Sequence, residues 1–598
     1  MLYAEQIKSV LDHNDWLKVN QKLLAKMIAE YMYEDMIQPQ LKKDGEWAVY
    51  QLTIHQEKHY TFQAKARYFN SYQVEENSIE IVEGDEHRKA SSAIEFLLDI
   101  QPLIGMSAET AGHLVKELNH TLLADAHLQK EASTPSDQLI KEDYSQIEGE
   151  MSGHPWITYN KGRIGFGYDD YLNYAPERRK PVQLLWIAVY KKRASFQSVQ
   201  GFSYNHLIKN ELSENERERL YSQLEHYGAS KEDYYIMPIH EWQWKNVIIQ
   251  QFSEDLAHQL IIPLDKGEDH YLPQQSIRTF VNQDHPLKKH VKVPMGILNT
   301  LVYRGLPAER TLIAPQITEF IKGIYEEDSF LKEDCRVILP GEVASINVSH
   351  KYYEQLKKAP YQYLEMLGVI WRESIYSYLE EGEQAITLAA LLHEDRDGKP
   401  YVQSLIESSG LSPEKWIEKL FEVLMEPLLH FIYQYGTVFS PHGQNTIIVL
   451  KDHQPHRLAV KDFVDDVNIS DQPFHELKGL PHEIKEVLRS EPPEGLTQFI
   501  FTGLFICHLR YLASILDSRQ LMNEGDVWKC LAASIYNYQG KFPQLKKRFE
   551  IFDFFKEEFT KLCLNRNRMV DYGYGDGDDR PHASEYGKVT NALSLWKR

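Results

Sequence analysis

Cysteine is scarce in this chain, and the four that occur, Cys335, Cys507, Cys530 and Cys563, include no C-x-x-C pair. That spacing excludes a thiolate zinc cluster and a disulfide framework, and it suits a reducing cytoplasm. No G-x-x-x-x-G-K-[ST] occurs, and no strand runs into G-x-G-x-x-G and a helix, so a P-loop and a dinucleotide-binding turn are both excluded. Positive charge is in deficit. The formal net charge of −21 argues against a nucleic acid or an anionic membrane as partner. Any anionic substrate must therefore be held by a local concentration of Arg and Lys. Apolar runs such as Leu184–Tyr190 are too short to span a bilayer. The first segment, Met1–Leu11, is amphipathic, carries acidic charge and shows no secretion-signal pattern. A soluble intracellular protein is the expectation.

What is present is an ordinary globular composition, 42% hydrophobic and 26% charged over 598 residues, enough for about two to four domains. The mix of patterns reads as α+β. Residues 1–145 combine helices with strands near 46–54 and 60–68, and Ser107 stands as N-cap of a helix carrying Leu114, Leu118 and Leu122. The polar stretch Gln129–Asp137 is a boundary. Residues 146–385 hold apolar strands at Trp186–Tyr190, Tyr234–Ile239, Val291–Leu298 and Arg336–Leu339. Residues 386–598 are largely helical, as at Trp416–Tyr435 and Gln498–Leu516, and the Gly- and Asp-rich tail beyond Asp571 reads as irregular.

The chemistry concentrates in a few segments. Phe439–Leu450 and Arg457–Asp466 read as a hairpin turning at Asp452–His456, which returns His442, Gln444 and Asn445 to Asp462, Asp465 and Asp466. Neutral ligands facing a carboxylate pair suit Mg²⁺ with phosphates, although an Asx-rich turn beside a solvated acidic strand end has the same pattern. Gly153–Gly165 places His154, Lys161 and Arg163 among glycines, where cations can wrap an anion or simply brace a loop. In Ile239–Trp244 the two tryptophans suit a core at least as well as a base stack. Gln275–Thr279 offers hydroxyl, guanidinium and hydroxyl to phosphate, or an N-cap at Ser276. Lys292, inside an apolar strand before Arg304, needs a partner or a ligand unless that face is exposed. Together these converge on a nucleoside triphosphate with a second, anionic substrate.

In their order, Gly153-His-Pro with Lys161-x-Arg163, His240-x-Trp-Gln243, Ser276-x-Arg-Thr279, Lys292, Arg304, Pro441-His-Gly-Gln-Asn445 and Lys461-Asp462 resemble the NRPS-independent siderophore synthetases, the aerobactin-synthetase family. The forms at 441–445 and 461–466 look most like the subgroup acting on a citrate monoamide or similar half-amide. The resemblance implies a cupped hand with thumb (1–145), fingers (146–385) and palm (386–598), whose antiparallel palm sheet carries the ATP site. It implies a cytoplasmic homodimer that adenylates a carboxylate with ATP and Mg²⁺, condenses it with an amine to an amide, and releases AMP and pyrophosphate.

Carried over, Ser276, Arg278 and Thr279 would hold phosphates, Lys292 the α-phosphate, and His442, Gln444 and Asn445 the nucleotide. Lys292, Arg304 and His442 would be catalytic, with Arg304 bridging phosphate and carboxylate. Asn445, Asp462 and Asp466 would hold Mg²⁺. The acid would meet His154, Lys161, Arg163 and Arg510, with Arg566 or Arg568. The chain departs from the family at Ile157-Thr158, within the acid-binding loop, and at Glu241 and Ser440. The rival reading is a kinase-like phosphotransferase, for which a catalytic-loop Asp and a glycine-rich flap are lacking.

Overall fold

The run Thr446–Lys451 is apolar at nearly every position instead of alternating, because it has a core on each face. In the computed structural model, which describes residues 4–131 and 133–598, it is the middle strand of the antiparallel sheet Glu383–Thr387, Thr446–Lys451, Gln454–Val460. Ile448 and Leu450 enter the largest core with the helix Pro413–Tyr435, while Ile447 and Val449 enter a smaller one with Tyr144 and Ile375. Successive side chains on a strand point to opposite faces, so both cores are fed by one run. The turn is tighter than expected. Asp452 and His453, with φ of 52° and 59°, close it alone, as a two-residue hairpin requires.

Met1–Tyr3 of the N-terminal segment, and Ala132 in the polar stretch 129–137, lie outside the described residues. The helix His13–Tyr33 starts at an Asp12 cap and packs with Ala108–Lys130, whose cap is Ser107 as expected. Both back a sheet that includes Ala48–His55 and Lys58–Arg67. That N-terminal core also takes in Ile157, Tyr159, Leu301 and Met569 from far along the chain.

The middle region is built on a six-stranded antiparallel sheet ordered Tyr271–Pro273, Thr279–Asn282, His290–Lys292, Gly368–Arg372, Glu342–Asn347, Ser195–Ser198. Beside it lies a three-stranded sheet with Leu185–Tyr190 between Ile261–Lys266 and Tyr234–Ile239. The expected strand 291–298 is two strands, His290–Lys292 and Met295–Asn299, interrupted at Pro294, which has no N–H for a ladder. Arg336–Leu339 supplies only an isolated parallel bridge from Ile338 to Ala459. The tail is not irregular throughout, since Ser584–Thr590 pairs with Glu558–Cys563. Pro493–Ser518 is a helix long and apolar enough to cross a membrane by length and composition, which the reading of apolar runs overlooked. It is mostly buried, contributing Leu496, Phe501, Leu504, Leu509 and Leu512 to the largest core.

Candidate active site

A cleft of about 930 Å³ opens between the six-stranded sheet and the hairpin, lined by Ser276, Arg278, Lys292, Arg304, His442, Gln444, Asn445, Asp462 and Asp466. Segments spread over almost 200 residues of sequence thus meet at one place, and each arrives for a local reason. Ser276 lies in a turn closed by Gln274 N–H donating to Thr279 O (2.8 Å), with Ile277 at φ 64°. Its hydroxyl accepts from Thr279 N (3.1 Å), capping a turn and not a helix. Thr279 itself is buried in the strand beside Lys292 and does not line the cleft.

Lys292 ends its strand pointing at the hairpin, and its Nζ donates to Asp462 (2.6 Å) and Asp465 (2.9 Å). Asp462 sits at φ 72°, and that left-handed residue starts the short helical turn Phe463–Asp466 which aims Asp465 and Asp466 at the cleft. Arg372 donates to Asp462 (2.8 Å) and to buried Glu342 (3.0 Å). Burial alone would raise the Asp462 and Asp465 carboxyls. The cations win: Lys292 and Arg372 hold Asp462 below its usual range, and Lys292, Arg278, Arg580 and Arg310 do the same for Asp465.

The His442 loop is braced from within. Nδ1 accepts from Gln444 N (3.3 Å), leaving Nε2 toward Asp466 (3.4 Å), to which the Asn445 side-chain amide also donates. Arg304 donates to the carbonyl of Asn299 (2.6 Å) and to Thr300. Burial, then the guanidiniums of Arg278 and Arg580, push its pKa down to about 9, so it remains charged at neutral pH.

Of the expected acid-binding residues, Arg304 lines the cleft and His154 does not, its Nε2 lying 3.7 Å from Cys507 Sγ. His154 accepts from the N–H groups of Trp156 and Ile157 at Nδ1 (3.2 Å each), which puts its proton on Nε2. Burial, reinforced by Lys26, His442, Arg304 and Arg510, pushes it down to about 3 and keeps it neutral. The structure does not bring the other expected cations to the cleft. Lys161 pairs with Asp125 (2.7 Å) and Arg163 with Glu177 through two bonds (2.6 and 2.8 Å). Arg510 is held by Glu30 (2.6 Å), Arg568 by the carbonyls of Gly573 (2.5 Å) and Leu301, and Arg566 lies over Tyr586. Each already has partners brought by a distant element. The departures at 157 and 158 are structural too: Ile157 is buried, and Thr158 bonds Tyr31 (3.0 Å) and Asn565 (3.2 Å). In the second motif Trp242 is core, and Gln243 ties Gly296 N (2.7 Å) to Met366 O (2.8 Å). Glu241 makes surface pairs with Lys245 and Lys266.

Sequence reading missed Arg310, Arg489 and Arg580, which line the cleft, and Arg372, which pairs with Asp462. Arg372 carried the same signal as Lys292, a charge ending an apolar strand, whereas Arg310 and Arg580 sit in a helix and a polar tail that give none. Among the described residues no group of three His, Cys, Asp or Glu side chains could cage a metal. Mg²⁺ does not need one, since it takes one or two carboxylates with phosphate oxygens, and Asp462, Asp466 and the Asn445 amide oxygen fit that donor set.

Residues 143–393 match the family model described as the IucA / IucC family, and residues 414–577 match one described as ferric iron reductase FhuF-like transporter. The chain is 41% identical over 578 residues to the rhizobactin siderophore biosynthesis protein RhbF of Rhizobium meliloti (strain 1021), spanning 97% of this chain and 96% of that one. The chain belongs to the IucA/IucC family of siderophore synthetases. This family member is also 34% identical to putrebactin synthase of Shewanella sp. (strain MR-4), over 93% of this chain and 87% of that one. Among solved structures, the petrobactin biosynthesis protein AsbB from Bacillus anthracis str. Sterne matches with TM-score 0.89 at 27% identity, over 100% of this chain and 98% of that one. Aerobactin synthetase IucC from Klebsiella pneumoniae matches with TM-score 0.85 at 28% identity, over 98% and 100%. Family membership sets the kinase-like reading aside and bears out a mixed fold of helices and antiparallel sheets.

Proposed function

We propose that this family member adenylates one carboxylate of citrate, or of a citryl or other dicarboxylate half-amide, with ATP and condenses it with an amine, releasing AMP and pyrophosphate. The observation that carries the reading is the single cleft where Arg278, Lys292 and Arg304 face Asn445, Asp462 and Asp466. A triphosphate and a polycarboxylate repel each other, and both can be neutralised only where cations of this density converge. Lys292 stabilises charge at the α-phosphate as pyrophosphate leaves, Arg304 lies between phosphate and carboxylate, and the His442 loop meets the nucleotide. Neutral His154 lies outside the cleft lining, with its Nε2 3.7 Å from Cys507 Sγ. Mg²⁺, held by Asp462, Asp466 and Asn445, would neutralise phosphate charge. Lys161, Arg163, Arg510 and Arg568 brace the walls.

A thumb, fingers and palm over 1–145, 146–385 and 386–598 belong to the same reading. A cytoplasmic homodimer remains part of this reading, as do small-molecule partners alone. The test is product analysis with ATP, Mg²⁺, a carboxylate panel and an amine panel. AMP and pyrophosphate formed only with a carboxylate are expected; ADP with phosphate transfer would overturn the assignment.

A further inference from the structure

Gly573 to Ala583 forms an irregular strap whose residues Asp578 to His582 line the cleft. Gly577 O accepts from Tyr361 N (3.1 Å). Arg580 is the one guanidinium the strap delivers. Its Nε donates to Glu365 (3.0 Å), a second bond reaches the other oxygen of the same carboxylate, and Nη2 donates to Gly305 O (3.1 Å). Arg278 donates to that same carbonyl, so the two guanidiniums lie side by side. Arg304, the residue before Gly305, keeps its Nε buried without a partner. Gly305 is glycine for a reason, since a Cβ there would meet Glu365 Cβ at 2.4 Å and its backbone oxygen at 2.8 Å.

Tethering the tail would account for Arg580 alone. It does not account for the crowding. Arg580 pairs with Glu365, Arg278 reaches Asp465, which also serves Lys292 and Arg310, and Arg304 beside them has no carboxylate partner of its own. The cleft also holds acids, but Arg278 and Arg580 meet at one carbonyl next to Arg304, and guanidiniums this close favour an anion between them. The contacts link Lys292 to Asp465, Asp465 to Arg278, and Arg278 through Gly305 O to Arg580, so Arg580 joins the cluster through Arg278 and makes no ion pair with the Asp462 that Lys292 holds.

We propose that Arg580 is a phosphate-binding residue of the synthetase that grips the pyrophosphate end of the nucleotide, with Glu365 holding its fork in position. This rests on the assignment of Lys292 to the α-phosphate. The test is titration of full-length protein with ATP, pyrophosphate and AMP, each with Mg²⁺, alongside steady-state kinetics. Arg580→Gln is expected to weaken ATP and pyrophosphate about ten-fold or more and to leave AMP within two-fold. Arg580→Lys should recover part of the loss, and Glu365→Gln should raise the KM for ATP more than it lowers kcat. Unchanged ATP and pyrophosphate affinities, or equal losses for ATP and AMP, would overturn the proposal. Because binding needs no turnover, ADP as the wild-type product would overturn the reaction assignment without touching this result.

Discussion

Lys292 touches two carboxylates, and neither depends on it alone. Asp462 keeps Arg372 at 2.8 Å, while Asp465 keeps Arg310 at 3.4 Å and Arg278 at 3.6 Å. Lys292→Ala therefore leaves no buried charge unpaired, and the fold is expected to survive it. Arg304 bonds only to backbone oxygens and Thr300, so its loss also leaves no anion behind. Each substitution is expected to cut carboxylate-dependent pyrophosphate release roughly a hundred-fold or more, with little change in melting temperature. Near-normal turnover in both variants would remove them from the reacting centre. Lys292 was legible in the sequence because a lysine in an apolar strand must be explained. Lys161 and Arg163 were legible only as cations: the Asp125 and Glu177 that neutralise them are brought by separate elements, and no local pattern announces that.

At the scale of elements, the His442 loop is clamped by close backbone approach. Gly443 O accepts from Ala389 N at 2.9 Å, and a Cβ on Gly443 would meet Ala389 Cβ at 3.0 Å and its Cα and N at 3.1 Å. Every opposing atom belongs to backbone or to Cβ, so the loop itself must yield. Gly443→Ala is expected to cost about 1–3 kcal/mol and to displace His442, lowering kcat/KM for ATP well beyond the loss in stability. Thermal melts beside ATP-dependent kinetics check this; kinetics that change no more than stability does would show the loop to be compliant. The hairpin was readable because turn residues between apolar runs are a local signal. Arg336–Leu339 was misread for the opposite reason, since its only ladder partner is Ala459, far along the chain.

Over the whole molecule, burial of imidazoles governs the response to acid. His154, His240 and His508 are each pushed down to about 3 by burial, and burial also holds His290 well below its usual value. For a group depressed in the fold, the stabilisation is complete above the unfolded value near 6.5 and is lost as pH falls toward the folded one. Glu34 and Glu117, raised to about 7 by burial, act the other way between 4.5 and 7. His120, His393, His456 and His582 are depressed as well, and Glu76, Glu211, Glu342, Glu365 and Glu524 raised, so the imidazoles remain the more numerous side at about 1.4 kcal/mol per pH unit each. The melting temperature is therefore expected to fall by several degrees from pH 7 to pH 5, and a rise would mean the carboxyls dominate. The strap has a consequence of another kind, in the order of synthesis. A nascent chain translated as far as residue 560 already carries Lys292, the His442 loop and Asp462. It lacks Arg580 and the strand Ser584–Thr590 that pairs with Glu558–Cys563. The Lys292 and His442 sides of the cleft thus precede the Arg580 side in synthesis, and a chain stopped before residue 580 would lack that guanidinium.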